Sequence, residues 1–305
     1  MCSSDLMAGA NGDRDVVNGT LPPTPAQRGM WFAENLSPDY SVNIAQYLDI
    51  RHDPGGLDVD LLAGVCEEVG KQIESPFVRL TEVDGVPMQY VDVDFDQHVE
   101  IKDLRGEADP VATALAWMNT EYRQPVDLLS DQFVVIVLIR VADDRTFWYQ
   151  RSHHIIVDGY AALTVVQRIV DRYNALRRGE EPVSRPAADM AEIVEYEKAY
   201  QSSGRRETDR KHWLSRVQDL PERVTLARVS GNAPLSFDNV VAGGALDPVL
   251  QVRLETVAKE CGSSMAVVLT AAFAAFLSRM SGADDIVMSL PDRKSTRLNS
   301  SHVSQ

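Results

Sequence analysis

Residues 132–160 read QFVVIVLIRVADDRTFWYQRSHHIIVDGY. From Phe133 to Ile139 the residues are apolar at consecutive positions rather than alternating. That pattern predicts a strand covered on both faces and therefore central in its sheet. Ala142, Asp143, Asp144 and Arg145 turn the chain, and FWYQRSHH returns as a second strand. The stretch YAALTVVQRIVDRYNALRRG, residues 160–179, is then a helix that Gly179 ends. His153 and His154 thus stand at a strand-to-helix junction, where a fixed backbone presents side chains at the edge of a sheet. If the strand persists through them they point in different directions, so only one faces a cleft. Asp158 occupies the position of a helix N-cap, and Gly159 beside it gives the backbone freedom.

Upstream, LPPTPAQRGMWFAENLSPDY predicts a helix with Thr24 as N-cap and Pro25 at its first position, packing Met30 and Trp31 inward. VNIAQYLDI alternates as a strand does, with Ile44, Gln46 and Leu48 on one side. GLDVDLLAGVCEEVGKQI is an amphipathic helix with Leu57, Leu61, Leu62, Val65, Val69 and Ile73 on its stripe. FVRLTEVDGVPMQYVDV reads as two strands around an Asp84–Gly85 turn, and DPVATALAWMNTEYRQP as a helix stopped by Pro125. Downstream come helices in DMAEIVEYEKAYQSS and RRETDRKHWLSRVQDL, then a loop-rich linker over about 221–237. A strand (NVVAGGAL), a helix (DPVLQVRLETVAKECG), a buried Ala-rich helix (SSMAVVLTAAFAAFLSRM) and a strand (DDIVMSL) follow. A membrane span is the lesser alternative for the Ala-rich run. The fold class is mixed α/β.

The 305 residues suffice for two domains or one large one, and 44% hydrophobic residues suffice for a buried core. The formal net charge of −15 repels nucleic acid and anionic lipid, so neither nucleic acid nor membrane is an expected partner. Cys2, Cys66 and Cys261 lie too far apart for a disulfide framework or zinc spacing, which fits a reducing, cytoplasmic setting. MCSSDLMAGANGDRD lacks the charged start and apolar run of a signal peptide. Both ends read as foreign. RKSTRLNSSHVSQ, residues 293–305, is basic in an otherwise acidic sequence and resembles translated cloning adaptor, as MCSSDL does. A natural flexible tail is the competing reading. The adaptor reading makes this a C-terminally truncated protein.

Three roles compete for the histidine pair. A metal site needs three or more ligands, and no further His, Cys or carboxylate cluster has suitable local spacing, so no metal is expected. Packing is the usual fate of a histidine. A general base with a supporting aspartate suits an imidazole, which titrates near working pH. No G-x-S-x-G and no nearby cysteine supplies a nucleophile. If His154 acts, it acts on a nucleophile that belongs to a substrate.

HHIIVDG resembles the HHxxxDG signature of nonribosomal peptide synthetase condensation domains, which share the chloramphenicol-acetyltransferase-like fold. The resemblance extends to TPAQRGMW (the first core motif), VRLTEVDGVPMQYV, YEKAYQSSGRRETDRKHWLSRVQDLP and AVVLTAAFAAFLSRMSGADDIVMSLP, in order, over about residues 21–291. Gly29 stands where the first motif usually has arginine. This variant is most similar to the condensation domains that open siderophore synthetases of the enterobactin type. SPFVRL has Phe77 where an arginine is usual and keeps only Arg79. After LP the fifth motif gives way to DRKSTRLNSS.

The resemblance implies a two-layer α/β sandwich doubled into a V-shaped pseudo-dimer, its second half here incomplete. Its expected parts are a disordered leader (1–20), an N-terminal subdomain carrying the signature (21–180), bridging helices (181–220), a partial C-terminal subdomain (221–291) and a non-native tail (293–305). It implies amide formation between a donor acyl thioester and the amine of an acceptor aminoacyl thioester. Donor and acceptor carrier domains bring both on phosphopantetheine arms, with an adenylation domain adjacent and no cofactor bound directly. His154 becomes the catalytic residue, with His153, Asp158 and Gly159 in support and Arg79 or Arg151 as candidate partners of Asp158. An epimerization domain, a coenzyme A-dependent acyltransferase of the same fold and a non-catalytic carrier-binding fragment are the alternatives. The protein as it stands is expected not to turn over by itself.

Overall fold

The computed structural model describes residues 19–36, 42–182, 187, 189–221, 224–226 and 244–288. The expected leader up to residue 18, most of the linker, most of the strand NVVAGGAL and the basic tail lie outside the described residues. The protein divides into two units, Met1–Ser203 and Gly204–Gln305.

The first unit is built on a four-stranded sheet in the order β1–β6–β5–β4: β1 (Asn43–Arg51), β4 (Glu100–Asp103), β5 (Val134–Ala142) and β6 (Arg145–His153). β5 lies inside the sheet, as its unbroken apolar run requires. Its alternate side chains serve two cores. Val137, Ile139 and Val141 join Phe147 and Tyr149 of β6 against Ala114 and Met118 of helix α3 (Pro110–Glu121). Leu138 and Trp148 face the other way, against Val65, Cys66 and Val69 of α2 (Val59–Lys71) and Val166 and Ile169 of α4 (Gly159–Arg177). Helices therefore cover both faces of the sheet.

β1 pairs antiparallel with β6 and carries the predicted alternation, Ile44, Gln46 and Leu48 inward and Tyr47 and Asp49 outward. β4 was not anticipated. It pairs parallel to β5, so that β4, α3 and β5 form a βαβ unit. Its sequence, EIKD, has one apolar residue and gives a pattern reader almost no signal.

A separate hairpin, β2 (Val78–Val83) and β3 (Val86–Val91), turns at Asp84 and Gly85, with φ +53° and +77°. Positive φ at both central residues is the hairpin geometry that an Asp–Gly pair favours. Helix α1 (Pro25–Leu36) opens as predicted. Thr24 Oγ1 accepts from Gln27 N–H at 3.3 Å while Gln27 Oε1 accepts from Thr24 N–H at 2.8 Å. Trp31 packs into a third core with Leu80, Val126, Leu128, Phe133 and Ile155, and Met30 lies against it. Helix α5 (Met190–Gln201), capped by Asp189, closes the unit.

The second unit holds α6 (Gly204–Val217), α7 (Pro248–Glu260) and α8 (Met265–Ser281), the last two packed together and bent by 102°. The Ala-rich run forms α8 as predicted but is not buried: Val267, Leu269, Phe273 and Phe276 are exposed. The expected strand DDIVMSL is not formed over its described residues, 284–288. No other described residues pair with it, so its backbone groups have no ladder to join. No single helix among the described residues is long and apolar enough to cross a membrane.

Cys66 sits inside the α2–α4 core at 2% exposure, and burial, with the nearby Glu67 carboxylate, pushes its thiol up to about 12. The unfolded thiol releases its proton near about 8.5. The folded state therefore holds a proton that the unfolded state gives up. The associated stability is complete below the unfolded value and declines as the pH rises from there toward the folded one. Tyr149, raised first by burial and then by its bond to Glu121, acts in the same direction. The expected result is a melting temperature that falls on the alkaline side, with a shallower fall in Cys66→Ala. An unchanged slope in the variant would contradict this. Of the two described cysteines, a maleimide should label exposed Cys261 and spare Cys66.

Candidate active site

β6 ends at His153, and residues 154–158 lead on to α4. Asp158 is the N-cap: its backbone is extended, its Oδ1 accepts from Ala161 N–H at 2.7 Å and its carbonyl from Ala162 N–H at 2.9 Å. Gly159 begins the helix and is exposed, and a Cβ there would meet nothing within 4 Å. The fold itself thus needs no glycine at this position, and the space beside it is open.

The two histidines differ sharply. His153 is fully buried on the α3 side of the sheet, in line with Tyr149 and Arg151. Its Nδ1 accepts from Ile155 N–H at 3.2 Å, which places the ring proton on Nε2. Nε2 then donates to Glu34 Oε1 at 2.7 Å. The Phe133 ring lies 5.7 Å from the imidazole, centroid to centroid. His154 is half-buried and is held through its backbone, whose N–H donates to Val42 O at 2.8 Å. Its imidazole makes no hydrogen bond among the described residues. One histidine is bound into the core, and its neighbour is half-buried.

Two partly buried polar groupings engage the arginines. Glu121, at the end of α3, accepts from Tyr149 Oη–H and, at 2.8 Å, from Arg151 Nε. Arg79 donates from Nη1 to Asp131 O at 2.9 Å and lies 3.5 Å over the Phe95 ring, and burial lowers its pKa. Both candidate arginine partners of Asp158 are therefore engaged elsewhere. Arg151 points to the α3 side with its strand neighbours, and Arg79 belongs to the hairpin. Among the described residues Asp158 acts as a helix cap rather than half of an ion pair.

The prediction for Asp158→Ala is correspondingly modest: a loss of about 0.5–2 kcal/mol, the value of an N-cap, with no stranded cation to add to it. Thermal melting measures this. A melting temperature equal to that of the unsubstituted protein would show that the cap contributes nothing.

The sequence reading missed Glu34, Glu121 and the Gln27–Gln89 contact, in which Gln27 Nε2 donates to Gln89 Oε1 at 2.8 Å. A signal was present in α1. Its buried residues are Gln27, Trp31 and Glu34, so two polar residues share the inner stripe with the tryptophan. Polar residues on an inner stripe announce a buried hydrogen-bond network. Among the described residues no group of three or more His, Cys, Asp or Glu side chains is placed to hold a metal ion.

The mixed α/β fold is shared with solved condensation domains, which places it in the chloramphenicol-acetyltransferase-like class. Within that class, a family model for the condensation domain matches residues 17–301. The dimodular nonribosomal peptide synthase of Bacillus subtilis is 35% identical over 270 residues, 88% of this chain and 11% of that protein. Enterobactin synthase component F of Escherichia coli O157:H7 is 34% identical over 238 residues, 77% of this chain and 18% of that protein. A mutant starter condensation domain of rhizomide synthetase, in complex with C8-CoA and Leu-SNAC, superposes with a TM-score of 0.73 at 29% identity. That match covers 92% of this chain and 62% of the other. The chain belongs to the condensation-domain family of nonribosomal peptide synthetases. It spans less than a fifth of the length of the synthetases just named.

Proposed function

We propose that this protein forms an amide bond between a donor acyl thioester and the amine of an acceptor aminoacyl thioester, each carried on the phosphopantetheine arm of a carrier protein. The observation that carries the reading is the division of labour in the histidine pair. His153 has both ring nitrogens engaged, whereas the His154 imidazole is held only through its backbone. An imidazole side chain suits the proton that the attacking amine must lose. In the proposed step the amine nitrogen bonds to the donor carbonyl carbon and the tetrahedral species collapses with loss of the C–S bond. The proton passes through His154 to the departing thiolate, giving an amide and a free donor thiol. His153 and Asp158 keep the loop in shape, and Gly159 leaves room for a substrate arm. Holding two tethered reactants in register supplies much of the rate.

The same reading assigns residues 21–180 to the subdomain with the signature, 181–220 to bridging helices and 221–291 to the second subdomain. It places the protein in a cytoplasmic synthetase beside carrier and adenylation domains, making a siderophore or another secondary metabolite. The similarity to enterobactin synthase component F supports that product class. The test supplies the synthetase with an aminoacylated acceptor carrier and the donor either on a carrier protein or as its coenzyme A thioester. Amide on the acceptor carrier, formed faster from the carrier-bound donor, is expected. Preference for the coenzyme A thioester would make the protein a free acyltransferase, and a change only at the acceptor α-carbon would make it an epimerase.

A further inference from the structure

We infer that Glu34 is a positioning residue for His154, an inference that rests on the reading of His154 as the reacting histidine. Four bonds close a ring. Glu34 Oε1 accepts from His153 Nε2 at 2.7 Å and from Val42 N–H at 2.8 Å. Val42 O accepts from His154 N–H at 2.8 Å, and the peptide bond from His153 to His154 completes the circuit. One carboxylate oxygen thereby ties together both segments that hold the His154 backbone. The His153 ring passes the constraint onward, since its Nδ1 accepts from Ile155 N–H and its carbonyl accepts from Ile156 N–H at 3.2 Å. The turn after His154 is thus referenced to Glu34 on both sides.

Glu34 is an expensive residue for α1. It is buried at 6% exposure and stands in the last turn, where the helix dipole disfavours a negative charge. Neither burial nor helix stability accounts for a carboxylate there. The two hydrogen bonds it accepts do. Both converge on the same oxygen, so what the site requires is an acceptor at that point. The amide oxygen of glutamine supplies one, and the alanine methyl does not.

The experiment is a kinetic comparison in the full synthetase of the unsubstituted protein, Glu34→Ala, Glu34→Gln and a destabilised control. The control is Met118→Ala, whose side chain is buried against α3's own core and away from the loop. Glu34→Ala is expected to lower kcat about 10²-fold, the effect of misplacing a reacting group by about 1 Å. KM for either loaded carrier should not change, because no carrier contact is removed. Glu34→Gln should recover kcat to within about threefold on the same argument. Met118→Ala, despite a lower melting temperature, should keep its kcat. Hydrogen exchange of the segment 151–160 should accelerate in Glu34→Ala and not in Met118→Ala.

Full kcat in Glu34→Ala would overturn the inference. So would equal loss in Glu34→Gln, which would assign the effect to charge rather than to the acceptor. A general loss in Met118→Ala as well would reduce Glu34 to a stabilising residue. If the unsubstituted synthetase forms no amide, the condensation reading fails by itself. Hydrogen exchange then decides the clamp alone: acceleration confined to Glu34→Ala upholds it, and unchanged exchange rejects it.

Discussion

His154→Ala is expected to lower amide formation by about 10²–10⁴-fold, the usual value of a positioned proton acceptor. The melting temperature should scarcely change. The imidazole makes no hydrogen bond among the described residues, and the bond that fixes the loop here, from His154 N–H to Val42 O, belongs to the backbone and survives the substitution. Mass spectrometry of the acceptor carrier, with both carriers loaded, reads the product directly. His153→Ala should lower stability as well as turnover, because it leaves the buried Glu34 carboxylate with the Val42 N–H as its remaining partner in the ring and opens the clamp on the His154 loop. Near-normal turnover in His154→Ala would remove the histidine from the chemistry.

Phe133→Ala carries the largest expected effect on stability, about 3–5 kcal/mol. Phe133 is fully buried in the third core with Trp31, Leu80 and Ile155. Its carbonyl accepts from His153 N–H at 2.8 Å, and its ring lies beside the His153 imidazole and within 5.9 Å of the Arg79 guanidinium. The cavity left by the ring would open beside the residue that anchors the histidine loop. Denaturant unfolding should show the loss as a lower midpoint, and turnover should fall with it even at temperatures where the variant stays folded. A loss below about 1 kcal/mol would mean that the core collapses into the gap and that the ring is not a support.

How far the sequence disclosed this molecule depends on the range of the interaction concerned. The strand pair 134–153, the Asp84–Gly85 turn, the Thr24 and Asp158 caps and the stripe of α2 are local patterns, and each is where its residues place it. β4 escaped because four residues with one isoleucine carry no period, and its strand character comes from lying beside β5. The exposure of α8 escaped for a related reason. Composition identifies an apolar helix but does not say what lies against it, and hydrophobic content alone argued for burial. At the site, the HHIIVDG loop was legible as a strand-to-helix junction whose two histidines point in different directions. The partner of the other was not, because Glu34 is 119 residues away in the sequence and only the fold brings it to His153. The arginine expected for Asp158 failed similarly. Sequence identifies buried arginines but not which carboxylate or carbonyl each one meets, and Arg151 met Glu121 while Arg79 met the Asp131 carbonyl.

In the proposed reaction the His154 imidazole faces the attacking amine. The direct measurement is a crystal structure of the synthetase's condensation domain with a non-hydrolysable aminoacyl-pantetheine acceptor analogue. The expected result is the analogue's amine within about 2.6–3.2 Å of a His154 ring nitrogen, or one water away, with His153 still bonded to Glu34. An amine held by another side chain, with His154 turned from the bound arm, would contradict it.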